Sequence, residues 1–170
     1  TALGSDLGGG AKALVADIKA QTRRMSRMLG DLLLYARLGR VEEAIEPVDT
    51  RAMIEAIAAS LPRPKGLVVR IAGDWPRIEA AAAALDLALR NLLDNAIKHH
   101  DHAEGLIEIG ARQLPGAVEL TLADDGPGIP PRFHEVVFHP FRKLAGEDDG
   151  QTEGSGIGLS LVRKTVESNG

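Results

Sequence analysis

The chain contains no cysteine, few aromatic residues and no excess of basic residues. The lack of cysteine excludes disulfides and thiolate metal sites. No apolar run approaches the roughly 20 residues of a membrane-spanning helix, and residues 1–10 lack the basic start and apolar stretch of a signal peptide. A net charge of −4 over 170 residues argues against nucleic acid as a partner, because phosphate backbones require a basic surface.

A long segment without proline, residues 11–38, carries apolar or small residues at alternating spacings of four and three. These positions are Ala11, Val15, Ile18, Thr22, Met25, Leu29, Leu32 and Ala36. The pattern predicts a helix with a coiled-coil seam of about four heptads. Such a seam packs either on its own domain or on partner helices. The second interpretation is favoured, because the helix is long and little near it in the sequence is helical enough to cover it.

Hydrophobic periodicity and turn residues divide the rest of the chain into elements. Residues 1–10 are predicted as a loop, 39–47 as a linker ending at a proline, and 146–154 as a mobile acidic loop. Helices are predicted at 51–61, 80–99 and 155–168. Strands are predicted at 67–72, 77–79, 106–112 and 117–123, with the last two antiparallel around Pro115-Gly116. This order indicates an α+β fold with helices on one face of a sheet.

Three polar residues share one face of the predicted helix at 80–99. Asn91, Asn95 and Lys98 are spaced four and three residues apart, away from the apolar face. Asparagine disfavours helices because its side chain competes with the backbone for hydrogen bonds, so two of them one turn apart indicate a function. Amide oxygens suit Mg²⁺, and a lysine suits phosphate oxygens. The alternative is a solvated polar face without a ligand.

Three further segments are candidate ligand loops. DDGPG begins at Asp124 after a strand; the aspartate can accept a hydrogen bond from an adenine amino group, and the glycines allow a planar base to approach. GSGIG begins at Gly154 and opens the last helix, where backbone amides bind anions. FHPFRK, residues 138–143, places two phenylalanines beside two cations that suit phosphate. The alternatives are a tight turn, a flexible hinge and a hydrophobic anchor for a loop.

In this order and spacing, the four segments resemble the ATP-binding domain of sensor histidine kinases, which belong to the Bergerat-fold ATPases together with gyrase and MutL. The resemblance covers about residues 12–170. NLLDNAIKHH matches the N box of the family, DDGPGIP the first glycine box, FHPF the F box and GSGIGLSLV the second glycine box. Each box is weakly or moderately specific alone, whereas all four in order are very specific.

The resemblance implies ATP and Mg²⁺ as ligands and assigns roles to individual residues. Asn95 matches the residue that coordinates Mg²⁺, while Asn91, Lys98 and Lys143 match catalytic positions near the metal and phosphates. Residues 143–153 match the lid over ATP. The residues expected to contact ATP are Asn95, Asp124, Gly126, Gly128, Ile129, Phe141, Gly154, Gly156, Ile157, Gly158 and Leu159.

The resemblance also implies an architecture. It predicts a two-layer α/β sandwich, with a mixed sheet and helices on one face, preceded by a long dimerisation helix. Residues 1–40 would be the remnant of a dimerisation and phosphotransfer domain that forms a homodimer through residues 11–38, with DLGG, residues 6–9, as the loop between its two helices. Residues 41–48 would be a linker. Residues 49–170 would be the ATP-binding domain, without the closing strands of the family.

In the family, the γ-phosphate of ATP passes to a histidine and then to the receiver domain of a response regulator. None of the five histidines lies in the long N-terminal helix, so the acceptor is expected on a helix absent from this chain. A metal cluster at His99, His100 and His102 is less favoured than an ordinary helix end. The resemblance further implies a bacterial, cytoplasmic location, with a membrane reached only through upstream regions. The alternatives are the regulatory module of a degenerate kinase, or an ATPase or serine kinase of the same fold.

Overall fold

Helices and strands alternate in the computed structural model, which describes residues 3–37, 44–142 and 155–168. The helices are α1 (Leu3–Arg37), α2 (Thr50–Ser60), α3 (Ala82–Lys98) and α4 (Gly158–Ser168). The strands are β1 (Ile45–Asp49), β2 (Gly66–Gly73), β3 (Arg77–Ala81), β4 (Glu104–Leu114) and β5 (Ala117–Asp124). Two short 3-10 helices, Pro131–Phe133 and Val136–Phe138, precede α4.

The main sheet has the strand order β2-β4-β5 and is mixed, because β2 and β4 are parallel whereas β4 and β5 are antiparallel. β4 and β5 are joined at the predicted turn, where Gly116 adopts a positive φ of 75° that glycine accepts without strain. The parallel pairing of β2 with β4 requires a crossover, and the segment containing α3 supplies it. The predicted mixed sheet is therefore confirmed.

α2 and α3 pack on one face of this sheet and form the core with it. Alternating residues of each strand point toward the helices, while Val68 on the opposite face is exposed. The fully buried large residues of this layer are Ile54, Ile57, Leu93, Ile107 and Ile109. A second buried cluster of Ala81, Ala84, Ile157 and Leu161 fixes α4 against the start of α3. The two-layer sandwich predicted from the sequence is thus the observed architecture.

α2 begins with a side-chain cap. The Asp49 carboxylate accepts a hydrogen bond from the Ala52 amide at 3.0 Å, which satisfies one of the unpaired donors of the first turn. This bond, followed in effect by the side chain of Arg77, lowers the pKa of Asp49. The Thr50 hydroxyl is buried and donates to the Pro76 carbonyl at 2.6 Å. The strand β1 therefore passes directly into α2, with β3 held beside the junction.

Two predictions about the N-terminal part were wrong. Residues 3–10 are helical rather than a loop, and the predicted DLGG loop lies inside α1. Glycines weaken a helix by about 1 kcal/mol each, but without proline nothing blocks its propagation. Residues 45–48 of the predicted linker belong to β1, which pairs antiparallel with β3. Pro47 is compatible with β1 because an edge strand tolerates a missing amide donor.

The apolar seam of α1 lies in water in the single chain. Its exposed residues are Val15, Ile18, Met25, Leu29 and Leu32, with Leu14 and Leu33 beside them. α1 also contacts α4. Among the described residues, no helix combines the length and apolarity that a membrane span needs. α1 is therefore an amphipathic helix whose apolar side is left uncovered by the described part of the chain.

Candidate functional site

The polar side of α3 is tied to the start of α4 through Asn91. The Asn91 amide nitrogen donates to the Leu87 carbonyl at 2.9 Å, which fixes the orientation of the side chain. A Cβ built at Gly158 would lie 2.9 Å from the Asn91 amide oxygen, closer than side chains pack. Gly158 therefore allows α4 to begin directly against α3. Asn91, expected to act in catalysis, has a structural contact that the sequence did not predict.

Asn95 and Lys98 differ in the partners they have. Lys98 forms an ion pair with Asp94 at 2.5 Å, so its ammonium group is already partly neutralised. The half-buried side chain of Asn95 makes no hydrogen bond to any other described residue. A half-buried amide oxygen without a protein donor fits a hard cation such as Mg²⁺, which takes oxygen ligands. The donor set on this face of α3 is thus compatible with the predicted metal role of Asn95.

Asp124 ends β5 and opens the turn that follows. One of its carboxylate oxygens, Oδ1, accepts a hydrogen bond from the Gly126 amide at 3.0 Å, so the side chain folds over its own turn. Gly128 has a φ of 67°, and a Cβ built there would have no atom within 4 Å. Ile129 is exposed beside it, and its carbonyl lies 2.8 Å from Nε2 of His134. The turn therefore presents a carboxylate next to open space.

A polar pair that the sequence did not predict lies next to this turn. The side chain of His100 is 1% exposed, and its Nε2 lies 2.8 Å from Oδ1 of Asp125. This hydrogen bond, followed by one to the backbone of His102, raises the pKa of His100. It is also the main cause that lowers the pKa of Asp125, followed by the hydrogen bond from the Leu106 amide. The pair joins the end of α3 to the first glycine box.

The segment before α4 is closed by a contact between Phe141 and Gly156. The Phe141 amide donates to the Gly156 carbonyl at 2.8 Å. Both residues have positive φ values, 62° for Phe141 and 71° for Gly156. A Cβ on Gly156 would lie about 3.1 Å from the Phe141 backbone, so this position requires glycine for space as well as for conformation. The exposed ring of Phe141 stands beside the start of α4.

Some residues expected to contact ATP are buried within the protein or lie outside the described residues. Ile157 is buried in the cluster that holds α4 on α3, so only its backbone is available to a ligand. Leu159 is half-buried in the first turn of α4. Lys143 and Gly154, together with the expected lid at 143–153, lie outside the described residues. The side chain of His100 is committed to Asp125, and the described parts of the chain contain no group of three His, Cys, Asp or Glu suited to a metal.

Three contacts link the segments that carry the described candidate residues. Asn91 meets Gly158 of α4, His100 meets the turn between Asp124 and Gly126, and Phe141 meets Gly156. Asn95 lies in the last turn of α3, between Asn91 and His100 along the chain. The described site candidates therefore comprise an amide oxygen on α3, a carboxylate at the end of β5 and a glycine-rich helix start, on segments linked by these contacts. Such a set can bind a cation, a hydrogen-bond donor and an anion together, which are the features of a metal-bound nucleotide.

A family model described as "Histidine kinase-, DNA gyrase B-, and HSP90-like ATPase" matches residues 80–170. The sensor kinase/phosphatase MprB of Mycolicibacterium paratuberculosis is 37% identical over 163 residues, covering 92% of this chain and 30% of the relative. The methanogenesis regulatory histidine kinase FilI of Methanothrix harundinacea is 33% identical over 163 residues, covering 92% of this chain and 18% of the relative. The chain therefore spans less than a third of each of these curated relatives.

Solved structures agree with this match. Full-length ShkA in complex with AMPPNP superposes with a TM-score of 0.75 at 27% identity, covering 92% of this chain and 34% of that chain. Because the family model spans more than half of the sequence, it determines the family. The structural match extends over most of the chain, including much of the part that precedes the family model.

Proposed function

The chain belongs to the histidine kinase-, DNA gyrase B- and HSP90-like ATPase family, and we propose that it binds ATP with Mg²⁺ in the site around α3 as the catalytic part of a sensor histidine kinase. Its similarity to MprB and FilI supports the kinase class. The observation that carries the proposal is that α3, which bears Asn95, contacts the start of α4 through Asn91 and is followed by His100, which binds Asp125 next to Asp124. In this proposal, Asn95 binds the metal, Asp124 binds the base, and the start of α4 binds the phosphates.

Each of these groups has a specific task in this proposal. The second carboxylate oxygen of Asp124 accepts a hydrogen bond from the amino group of adenine, since Oδ1 is occupied by the Gly126 amide. The backbone at Gly156 and Gly158 faces the phosphates, where the positive end of the α4 dipole favours negative charge. Phe141 and Ile129 supply apolar surface at the edge of the site. The site thus orients the nucleotide before any chemistry takes place.

The metal would be held by Asn95, whose amide oxygen has no other partner among the described residues. When bound, Mg²⁺ neutralises charge on the β- and γ-phosphates and orients them. Asn91 stands one turn before Asn95, and Lys98 nearly one turn after it. Lys98 would exchange its contact with Asp94 for a phosphate oxygen, and Lys143 would approach the terminal phosphate. Both lysines stabilise negative charge and do not act as nucleophiles.

The proposed reaction transfers the γ-phosphoryl group from ATP to a histidine nitrogen. A P–N bond forms, the bond from the γ-phosphorus to the bridging oxygen breaks, and ADP leaves. A receiver domain of a response regulator would then take the phosphoryl group on an aspartate. The work of this domain is positioning and charge neutralisation, as is general in phosphoryl transfer. The histidine would lie outside this chain, because no histidine occurs in α1.

We also propose a division of the chain into two functional parts. Residues 1–40 would belong to a dimerisation and phosphotransfer domain, and residues 49–170 to the ATP-binding domain. The exposed seam of α1 supports this division, because it contrasts with the closed core of the rest. Of the predicted linker, only residues 41–44 would connect the two parts, because residues 45–48 form part of β1. The homodimer would form through residues 11–38.

Calorimetry with a non-hydrolysable ATP analogue, with and without Mg²⁺, tests the proposal. Asn95→Ala is expected to lower the Mg²⁺-dependent affinity about 10- to 100-fold, the range for residues that hold or orient a metal. Asp86→Asn is the matched control, because it lies on the opposite side of α3, nine residues earlier. Unchanged Mg²⁺-dependent affinity in Asn95→Ala would exclude the metal role. Failure of the unmodified chain to bind the analogue would refute the proposed function.

A second experiment addresses phosphoryl transfer by this chain alone. Incubation with ATP labelled at the γ-phosphate is expected to give no acid-labile phosphate on the protein. All five histidines, at positions 99, 100, 102, 134 and 139, follow α3 or flank the F box rather than lying on α1. Addition of a protein that carries the complete dimerisation domain of a close relative provides the positive control. Stoichiometric acid-labile phosphate on this chain would assign the acceptor to one of its own histidines.

A further inference from the structure

The ring of His100 occupies a closed space between the end of α3 and the turn after β5. Its side chain is 1% exposed, although it is followed by polar residues. Nε2 lies 2.8 Å from Oδ1 of Asp125, and Nδ1 lies 3.0 Å from the carbonyl oxygen of His102. Both ring nitrogens therefore face an oxygen, which holds the plane and the direction of the ring. A buried ring with two fixed nitrogens is a rigid support.

Asp125 connects this ring to β4. The same oxygen that bonds to His100 also accepts from the Leu106 amide at 2.8 Å. The Asp125 amide in turn donates to the Leu106 carbonyl at 3.2 Å. Asp125 is thus held by β4 through its side chain and its backbone, and by the end of α3 through His100. Movement of the ring would be passed directly to the backbone of the turn.

The ring of His100 also occupies the space that side chains at Gly105 and Gly126 would need. A Cβ built at Gly126 would lie 3.7 Å from both Cα and Cδ2 of His100. A Cβ built at Gly105 would lie 2.3 Å from Cε1 of His100 and 2.8 Å from Oδ1 of Asp125. Gly105 is consequently the position on β4 that makes room for the pair. Asp124 stands between these groups, with Oδ1 bonded to the Gly126 amide.

We propose that His100 is a positioning residue for base recognition: through Asp125 it fixes the turn that presents the Asp124 carboxylate to adenine. The proposal rests on the proposed function, because it concerns the nucleotide site defined there. His100 does not touch the nucleotide in this account. It acts by holding Asp125 against β4, so that Asp124 and Gly126 keep one orientation. Its loss therefore weakens the recognition of the base more than the binding of the phosphates.

The pair makes base recognition dependent on pH. The charged groups that face His100 are Asp125 in the turn and Asp101 in the loop after α3, where His102 lies 3.3 Å from Asp101. The protonated ring donates from both nitrogens. The neutral ring keeps one donor for Asp125 and loses its charge. Because the pKa of His100 is raised, the full contact is present below the usual histidine pKa and is lost as pH rises through the raised value.

Substitution of His100 separates this proposal from a general structural role. In His100→Ala, the affinity for the ATP analogue is expected to fall about tenfold, the effect of one charge-assisted hydrogen bond, while the affinity for a GTP analogue stays nearly unchanged. His100→Gln keeps one donor and should recover part of the loss. It should also remove the His100 step from the pH profile of affinity. His102→Gln, at an exposed position beside it, is the matched control.

A measurement without nucleotide distinguishes failure of this proposal from failure of the proposed function. In the NMR spectrum of the unliganded chain, the amide signals of Asp124 and Gly126 should follow the titration of the His100 ring. In Asp125→Asn and His100→Gln this coupled titration should disappear. If the amide signals of Asp124 and Gly126 do not change as the His100 ring titrates, the proposal is overturned, whether or not ATP binds. Equal losses of ATP and GTP affinity in His100→Ala, or no loss at all, would also overturn it.

Discussion

α1 and α3 both carry apolar residues at helical spacing, yet their surroundings are opposite. In α3, Leu93 is completely buried and Leu89 is 4% exposed, because both pack between the sheet and α2. In α1, Met25 is 63% exposed and Leu29 is 59% exposed. The spacing of apolar residues therefore identifies the face of a helix that requires cover. It does not say whether the cover belongs to the same chain.

The different exposure of the apolar residues in α1 and α3 affects the free energies of association and folding. Burying an exposed side chain of this size contributes about 1.5–3 kcal/mol, so several such residues in one row provide a strong drive to associate. The residues around α3 have already gained this free energy by folding. The described residues from 44 onward have a closed core, whereas α1 would gain most of its burial from the second molecule of the proposed dimer. Folding and association are thus expected to respond to different substitutions.

The largest effect is expected when the core around α3 is opened. Leu93→Ala should lower the free energy of unfolding by about 2–5 kcal/mol, because it removes buried methyl groups and leaves a cavity. Leu29→Ala should change it by less than about 0.5 kcal/mol at concentrations where the chain is monomeric, since the side chain is exposed. Urea unfolding followed by circular dichroism measures both. Similar losses for the two variants would show that α1 is packed within the single chain.

Much of this contrast was already predicted by the sequence. The turn at Pro115-Gly116 depends on residues close together in the chain, so local chemistry was enough to predict it. The α3 face with Asn91 and Asn95 was predicted for the same reason, because its period is a property of one helix. The order of the four boxes then indicated the fold.

The missed features depend on contacts between distant residues. β1 forms because residues 45–49 pair with residues 77–81. Considered without this partner strand, Pro47 indicated the end of a linker rather than a strand. His100 and Asp125 are 25 residues apart and meet because β4 and β5 pair in one register, next to the end of α3. The sequence features that could have pointed to this contact are Gly105 and the adjacent pairs His99-His100 and Asp124-Asp125. Without the register, nothing in the sequence joins these residues.

The second expected effect concerns association through α1. Val15→Lys combined with Leu29→Lys should raise the dissociation constant of the self-associated chain at least about tenfold, because two charges replace two apolar contacts of about 1.5–3 kcal/mol each. Sedimentation at several concentrations measures this. Val68→Lys is the control, since Val68 is an exposed apolar residue on the sheet rather than on α1. A chain that stays monomeric at high concentration without substitution would remove the dimerisation role of residues 11–38.

The smallest expected effect is on nucleotide binding when α1 is altered. The double lysine variant of α1 should bind the ATP analogue within about twofold of the unmodified chain, because distant sites usually act independently. The candidate groups, Asn95 and Asp124, lie on α3 and at the end of β5 rather than on α1. Calorimetry on both chains in the same buffer measures the difference.

Asp124→Asn is expected to alter nucleotide binding but not association, the opposite of the double lysine variant of α1. It should leave association unchanged and lower the preference for ATP over GTP about tenfold, because an amide oxygen accepts the adenine hydrogen bond without charge assistance. Since α1 touches α4, a loss of ATP affinity that parallels the loss of association would indicate that the dimer shapes the start of α4. Equal ATP affinity in monomer and dimer would instead mean that the nucleotide site is complete in one chain.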